Sequence, residues 1–357
     1  MTASKQFFTA LEALRGIAAI MVIFRHTEGA LGPIRSNMSY LAVDLFFLLS
    51  GVVLANSYEQ RLKTREISPI GFVLQRIIRL YPLYLLSLPI GLASYAIQNG
   101  LDCARLAELL LKAVLFIPST NLESLFPLNG PSWSLFFELW VGMLFSIILI
   151  RMSLRSLFAL AFAGALVTML GARIAGNLDI GFQPSYFIYG FSRVLFSFSI
   201  GICLYRLPNN ERPTTADTGN IIGLLLCGCL MGITSIPASL FYEYPWFDFL
   251  ICLVVFPLIV SLAMRTRQTG LVDTLFRWLG RLSYPIYILH GPIFSLLYSL
   301  RQKGFELPSS PAAGMVVVLG IFIASAVAAV YFDEPLRKKL RSMLARNSIP
   351  AISEVNN

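Results

Sequence analysis

The chain has 357 residues, of which 56% are hydrophobic and 13% are charged, and its mean hydropathy is +0.71. Soluble domains carry about 25% charged residues, so this composition excludes a soluble globular protein and predicts an all-α polytopic integral membrane protein. The net charge of +9 does not indicate a nucleic-acid partner, because the basic residues are concentrated at the ends of the apolar segments.

Apolar segments long enough to cross a hydrocarbon layer of about 30 Å recur from one end of the sequence to the other. We therefore predict about ten transmembrane helices with short polar connections, and one membrane domain over residues 1–357. A shorter apolar segment at 105–117 is predicted to lie at the membrane surface or to re-enter the membrane. The predicted spans are 9–30, 39–56, 80–98, 132–150, 156–175, 184–205, 219–236, 247–264, 279–299 and 312–333.

Lysine and arginine residues are divided unequally between the two sides of these spans. Segments 57–79 and 265–281 and the tail from about residue 334 are especially rich in them. Because cytoplasmic loops carry the excess of basic residues, we predict that both termini are cytoplasmic. The short basic tail would then lie against the anionic lipids of the inner leaflet.

The five cysteines do not form a recognisable set. Four lie within apolar segments and only Cys103 lies in a polar connection, which fits neither a metal site nor a disulfide framework. We therefore predict no bound metal and no redox chemistry.

Arg15, Arg25 and His26 lie in the first predicted span, where the sequence is ALRGIAAIMVIFRHTEGA. A charged side chain near the bilayer centre costs about 3 kcal/mol on insertion scales. Arg15 and His26 are eleven residues apart, which is close to three helical turns, so both project from one face of the helix. They either extend to opposite membrane interfaces or belong to a functional site.

The second histidine, His290, lies near the middle of the ninth predicted span, in GRLSYPIYILHGPI. Tyr287 lies one turn earlier on the same face, and Pro285 leaves backbone carbonyl groups that need partners. A buried histidine bonded to a tyrosine is a common structural arrangement. The alternative is that both side chains bind a substrate.

Two carboxylates also lie inside predicted spans. Asp44 is in the second span, and Glu138 is in the fourth, one turn from Ser134. Either acid could form only a structural ion pair, with Arg25 or Arg193. Alternatively, an imidazole beside a carboxylate can abstract a proton from a hydroxyl group, because the acid orients the ring and stabilises the imidazolium.

Arg76 and Arg79 are one turn apart in QRIIRLYPLY, at the start of the third predicted span. Two guanidinium groups on one helical face can bind a phosphate, since each offers a planar set of donors. The topology rule for basic residues predicts the same pattern without any ligand. Arg15 would continue this positive track into the membrane.

Six segments, taken together and in order, resemble the membrane acyltransferases of family 3. The resemblance covers about residues 11–341 and implies a stand-alone membrane domain in the bacterial inner membrane. It implies an O-acetyltransferase, or a transferase of another short acyl group, that uses acetyl-coenzyme A from the cytoplasm and a saccharide or glycan hydroxyl as acceptor. The segments are LRGIAAIMVIFRH, VDLFFLLSG, RIIRLYPLY, WSLFFE, LGRLSYPIYILH and FDEPLRKKL.

The resemblance also assigns expected roles to individual residues. The catalytic group would be His26, as general base or transient acyl carrier, oriented by Glu138 or Asp44. A second acid often follows the glutamate in the family, but this chain has Leu139 there. The coenzyme A ligands would be Arg15, Arg76 and Arg79, and the substrate-binding residues would be Trp133, Ser134, Tyr287 and His290.

Two other functions remain compatible with the residues alone. A transporter or flippase would use the intramembrane charges as a proton relay or an anion site. Many transporters show paired halves with broken helices in matching positions, and we find no such symmetry here. A catalytically silent scaffold would leave Arg15, His26 and Glu138 without a role.

Overall fold

The computed structural model describes residues 8–27, 36–207, 215–237, 245–305 and 310–347. This part of the chain is almost entirely helical and contains no β-strand, which confirms the all-α prediction. Residues 28–30 of the first predicted span lie outside the described residues. The helices are α1 Thr9–His26, α2 Ala42–Lys63, α3 Pro69–Asn99, α4 Cys103–Val114, α5 Ser132–Ile147, α6 Leu154–Ala175, α7 Phe187–Arg206, α8 Ala216–Ser235, α9 Pro245–Leu250, α10 Phe256–Met264, α11 Gly270–Gln302, α12 Pro311–Val327 and α13 Glu334–Asn347.

The long helix α3 begins with a local signal that the sequence carries. The hydroxyl of Ser68 accepts a hydrogen bond from the backbone N–H of Gly71, at 3.0 Å, and Pro69 occupies the first helical position. A serine cap followed by proline is favourable because it satisfies a free N–H group and presets the backbone. As a result α3 starts well before the predicted span at 80–98, and Arg76 and Arg79 lie within the helix.

Two helix pairs are joined by π-helical turns, one within the predicted span 247–264 and the other at the end of the predicted span 312–333. Residues Ile251–Val255 join α9 to α10, and residues Ala328–Asp333 join α12 to α13. The short apolar segment predicted at 105–117 forms the amphipathic helix α4, which buries Leu109 and Ala113.

Seven helical segments in the described part of the chain are long and apolar enough to cross a membrane. Three further predicted spans correspond to α1, α5 and α11, which do not meet this criterion; α5 has only 16 residues. These three helices carry most of the predicted site, whereas Asp44 lies in α2 and Arg76 and Arg79 lie in α3. The count of about ten spans and the cytoplasmic termini therefore stay predictions. The seven segments are Ser39–Lys63, Pro69–Asn99, Leu154–Ala175, Pro184–Arg206, Asp217–Ser235, Pro245–Met264 and Pro311–Leu344.

Glycine residues allow two pairs of helices to approach closely. In α1, a methyl group added at Gly16 would lie 2.6 Å from the Cβ of Leu279 in α11. In α2, a methyl group added at Gly51 would lie 2.3 Å from the carbonyl oxygen of Phe198 in α7. Small residues at such contacts are typical of packed membrane helices. The α1–α11 contact brings together the two helices that carry the histidines.

Candidate active site

The two histidines of the chain contact each other. The ring centroids of His26, at the end of α1, and His290, in the middle of α11, are 5.0 Å apart with an interplanar angle of 61°. His290 is completely buried, whereas His26 is exposed. Because α1 and α11 pack along their length, the structure brings together two residues that the sequence separates by more than 260 positions.

Each imidazole ring forms a hydrogen bond with a backbone carbonyl group of its own helix. Nδ1 of His26 lies 2.9 Å from the carbonyl oxygen of Val22, and Nδ1 of His290 lies 3.2 Å from that of Ile286. A carbonyl oxygen only accepts hydrogen bonds, so in each neutral ring Nδ1 carries the proton. The Nε2 atom is then the basic nitrogen of each ring.

Tyr287 and Ser134 form the next contact along the site. The ring centroids of Tyr287 and His290 are 5.7 Å apart. The Tyr287 hydroxyl oxygen lies 2.8 Å from the Ser134 hydroxyl oxygen. The carbonyl oxygen of Pro131 lies 3.3 Å from the Tyr287 hydroxyl and 3.0 Å from the Ser134 hydroxyl, so one hydroxyl donates to this carbonyl while the other donates to its partner hydroxyl. The structure therefore places two predicted substrate-binding residues together, beside the histidine pair.

A small cavity of about 80 Å³, which we term the central cavity, begins at Ser134 and Tyr287. Its wall also contains Glu138, whose carboxylate accepts hydrogen bonds from Ser50, at 2.8 Å, and from Arg76. The predicted catalytic carboxylate is thus an ion-pair partner of a predicted coenzyme A ligand. Because Arg76 is buried and paired, its charge is already compensated within the protein.

A larger cavity of about 840 Å³, which we term the basic cavity, adjoins the central cavity. The two share Val53, Leu54 and Arg79 in their walls. The guanidinium groups of Arg79 and Arg341 line the basic cavity, and neither forms an ion pair with another described residue. The start of α3, at Ser68, also faces this cavity. Free cations and a helix N-terminus together favour an anionic ligand.

Arg15 lies where the central cavity meets a third cavity of about 270 Å³. Its guanidinium group donates to the Glu12 carboxylate at 2.8 Å, to the Ser283 hydroxyl at 2.9 Å and to the Gly280 carbonyl at 3.1 Å. These bonds join α1 to α11. The side chain lines both cavities, and its bonds also position the two histidine-bearing helices.

The structure does not place Asp44 against an imidazole. Its carboxylate is bound by Arg193, with an Oδ2–Nη2 distance of 2.5 Å, and both side chains are only 1% exposed. An ion pair with Arg193 was the alternative that the sequence left open, and the geometry favours it. The carboxylate cannot orient His26 while Arg193 holds it, because its two oxygens are directed at the guanidinium group.

Trp133 is also part of the core and does not line the central cavity. Its ring lies 5.6 Å below the Arg193 guanidinium group and packs edge-on against Phe47 and Phe137. Trp133 and Ser134 are adjacent in the sequence, but adjacent residues on a helix point in different directions. Ser134 therefore lines the central cavity and Trp133 does not. The indole supports the Asp44–Arg193 pair.

Several polar residues at the site carry no strong signal in the sequence. Ser50 and Arg341 lie in segments that look like an ordinary apolar span and an ordinary basic tail. Asp179 binds Arg25 at 2.6 Å across 154 residues, which no local spacing predicts. Glu12 could have been found, because it precedes Arg15 by three positions and side chains at that spacing meet on a helix.

Comparison with known proteins identifies the family of the chain. The model of acyltransferase family 3, described as an acyltransferase domain, matches residues 8–332. A protein from Rhizobium radiobacter, named protein 2 in the picA locus, is 35% identical over 182 residues, which cover 46% of this chain and 94% of the relative. No solved structure matches the chain. Since the family model spans nearly all of the described helices and includes both histidines, the chain belongs to acyltransferase family 3.

Proposed function

We propose that this membrane acyltransferase moves an acetyl or another short acyl group from acyl-coenzyme A to a hydroxyl group of a saccharide or cell-surface glycan. One observation carries the proposal. The basic cavity and the central cavity adjoin at Arg79, and the central cavity ends at the Ser134–Tyr287 contact beside the histidine pair. We infer that the acyl group reaches His26 past this contact, because the Tyr287 ring that lines the central cavity also contacts the His290 ring.

The donor enters from the basic cavity, which we assign to the cytoplasmic side of a bacterial inner membrane. Coenzyme A carries several phosphate groups and cannot cross lipid, so its nucleotide part must bind at the membrane surface. Arg79 and Arg341 supply uncompensated cations there, and a cavity of about 840 Å³ is within the usual range for ligand sites.

The pantetheine arm then extends through the central cavity. From Arg15 to His26 helix α1 rises about 16 Å, a distance that a linear, flexible arm can follow. The passage is narrow, which suits an unbranched chain and excludes the bulky nucleotide. We assign the Ser134 and Tyr287 hydroxyl groups, at the end of this passage, to binding the carbonyl oxygen of the acyl group.

The transfer takes place at His26. The acceptor oxygen bonds to the thioester carbonyl carbon while its proton passes to Nε2 of His26. The carbon–sulfur bond breaks, its electron pair leaves on the coenzyme A sulfur, and that sulfur takes the proton from His26. A general base of this kind contributes about 10²- to 10⁴-fold to the rate.

The acceptor reaches His26 from the side opposite the basic cavity. The imidazole is exposed at the end of α1, beside the ion pair of Arg25 and Asp179, whose side chains are 31% and 32% exposed. The Tyr40 ring lies 5.1 Å below the Arg25 guanidinium group. Hydrogen-bonding groups next to an aromatic ring are suited to a polyhydroxylated ligand such as a saccharide.

The proposal is tested with purified protein in proteoliposomes, given radiolabelled acetyl-coenzyme A and the envelope glycan fraction. We expect covalent label on the glycan, and a loss of about 10²-fold or more in the His26→Ala variant. Ser342→Ala, on the exposed face of α13, is the matched control and should transfer normally.

Two outcomes would contradict the proposal. Near-normal transfer by His26→Ala would remove the imidazole from the reaction. Movement of a solute across the bilayer, with no label becoming covalent on any acceptor, would favour the transporter or flippase alternative.

A further inference from the structure

Five arginine residues and two carboxylates line the third cavity, where α1, α3 and α11 meet the turn between α12 and α13. This cavity adjoins the basic cavity at Glu12 and Arg79, and it adjoins the central cavity at Arg15 and Arg79. A cationic cavity therefore lies beside the entrance of the donor path, and none of the steps of the proposed transfer uses it. The arginines are Arg15, Arg79, Arg277, Arg281 and Arg337.

The segment FDEPLRKKL supplies acids that hold two of these arginines. Oδ2 of Asp333 lies 2.8 Å from Nη2 of Arg337, and Glu334 accepts two hydrogen bonds from Arg281. An ion-paired guanidinium group can still donate to a ligand, because it carries five N–H groups. Arg79 forms no ion pair in the described part of the chain, so it adds an uncompensated charge to this wall.

Asp333 has one carboxylate oxygen without a partner. Its side chain is only 1% exposed, and Oδ1 has no hydrogen bond with any described residue, whereas Oδ2 binds Arg337. A buried carboxylate oxygen without a donor is costly, because burial removes the solvent that would stabilise it. The wall of the third cavity thus holds an unused acceptor next to the donors of a guanidinium group.

This pairing of donors and acceptor fits a phosphate ester with a neighbouring hydroxyl group. Guanidinium groups bind phosphate oxygens through several N–H donors, whereas a carboxylate repels them. A hydroxyl group on the next carbon can donate to the carboxylate while the phosphate binds the cations. The ribose of coenzyme A has this chemistry, since its 3′ oxygen carries a phosphate and its 2′ oxygen carries a free hydroxyl group.

We propose that the third cavity binds the 3′-phosphate of coenzyme A, with Arg337 donating to the phosphate and Oδ1 of Asp333 accepting from the 2′-hydroxyl group. This inference rests on the proposed function. The diphosphate then lies in the basic cavity, and Arg79, which lines both cavities, lies between the two phosphate positions. The site therefore selects complete coenzyme A over dephospho-coenzyme A.

The 3′-phosphate is remote from the thioester, so its contacts are the same before and during the transfer. Loss of such a contact raises KM and leaves kcat unchanged. In the proteoliposome assay, we expect acetyl-dephospho-coenzyme A to react with a near-normal kcat. Its KM should be higher by about 10- to 100-fold, the size of hydrogen bonds to a charged group.

Direct binding tests the site without any transfer. Isothermal titration of the wild-type protein with coenzyme A, dephospho-coenzyme A and 2′-deoxy-coenzyme A requires no variant, so a folding defect cannot obscure the result. We expect the dephospho form to bind about 10- to 100-fold more weakly than coenzyme A. The 2′-deoxy form should bind about tenfold more weakly, because it cannot donate to Asp333.

Two variants assign these preferences to residues. Arg337→Gln should lose most of the preference for coenzyme A over the dephospho form, and Asp333→Ala should lose the preference over the 2′-deoxy form. Lys338→Gln is the matched control, because it removes a positive charge next to Arg337 in the sequence but from outside the three cavities. This control should keep both preferences.

Three results would overturn the inference. The wild type could bind dephospho-coenzyme A as tightly as coenzyme A. Lys338→Gln could lose the preference as fully as Arg337→Gln, which would assign it to the overall charge of the tail. A lipid headgroup is the other source of a phosphate ester with a hydroxyl group nearby. If Arg337→Gln abolished binding of short-chain phosphatidylglycerol but left coenzyme A binding unchanged, the cavity would hold a lipid.

Failure of this inference can be told apart from failure of the proposed function. If the wild type prefers coenzyme A to the dephospho form but transfers no acetyl group, the proposed function fails and the binding site stands. If it transfers acetyl groups from both donors with equal KM, the proposed function stands and the inference fails.

Discussion

Asp44 and Arg193 form a buried, two-point ion pair that joins α2 to α7. Arg193 Nη2 lies 2.5 Å from Oδ2 of the carboxylate, and its Nε lies 3.2 Å from Oδ1. The remaining donors reach the carbonyl oxygens of Ile180, at 2.6 Å, and Tyr40, at 3.4 Å. The arginine thus ties the carboxylate of Asp44 to the backbone at Ile180 and Tyr40.

We expect Asp44→Asn and Arg193→Met each to lower the free energy of unfolding by about 3–5 kcal/mol, because each leaves one buried charge without its partner. Thermal unfolding of the purified protein in detergent measures this effect. The double variant Asp44→Leu with Arg193→Met should be more stable than either single variant. If Asp44→Asn folded as well as the wild type but transferred no acetyl group, Asp44 would have a direct role in the reaction.

The sequence predicts the helices of this protein well because membrane spans depend mainly on length and hydropathy. It also predicts that His26, Asp44, Glu138 and His290 converge, since a polar residue inside a span needs a reason to be there. The two imidazoles are in contact, Glu138 and Tyr287 line the central cavity, and Asp44 is instead bound by Arg193. The prediction depends mainly on the depth of each polar residue in the membrane, which follows from its position within the predicted span.

The ion-pair partner of a residue is harder to predict from the sequence than its position within a helix. Glu138 is bound by Arg76, which the sequence assigns to the membrane surface. The Ser68 cap starts α3 two turns before Arg76, and within this helix Arg76 is buried against Glu138. Pairs such as Arg25 with Asp179 depend on how distant helices pack, and the spacing of residues in one chain does not contain that information.

The two arginines of the RxxR segment should respond differently to substitution. Arg79→Gln removes an uncompensated cation from the basic cavity, so we expect KM for acetyl-coenzyme A to rise about tenfold, with little change in stability. Arg76→Gln leaves the carboxylate of Glu138 without its partner, so it should destabilise the fold.

Initial-rate kinetics and thermal unfolding of both variants test this difference. Lys338→Gln is the control, because it removes one positive charge from the exposed face of α13 without touching the wall of any of the three cavities. An unchanged KM in Arg79→Gln would mean that the cation serves membrane topology alone.

The close contact between α2 and α7 should not tolerate a larger residue. Gly51→Leu would place its side chain against the Phe198 carbonyl group, which lies 2.3 Å from the position of an added methyl group. We expect the free energy of unfolding to fall by at least about 1–3 kcal/mol, since overpacking forces backbone shifts. Gly228→Leu in α8 is the control, because nothing lies within 4 Å of its added methyl group. Similar stability of the two variants would contradict the packing of α2 on α7.

The orientation of the chain can be tested with Cys103, which lies at the start of α4 and is exposed. If both termini are cytoplasmic, the connection between α3 and α4 lies on the outer side. In a variant that keeps only this cysteine, a membrane-impermeant maleimide should label Cys103 in intact cells. In a matched variant whose single cysteine is introduced by Ser342→Cys, labelling should require permeabilised cells, because α13 belongs to the basic tail. The reverse pattern would invert the chain and place the basic cavity outside the cell, where no acyl-coenzyme A is available.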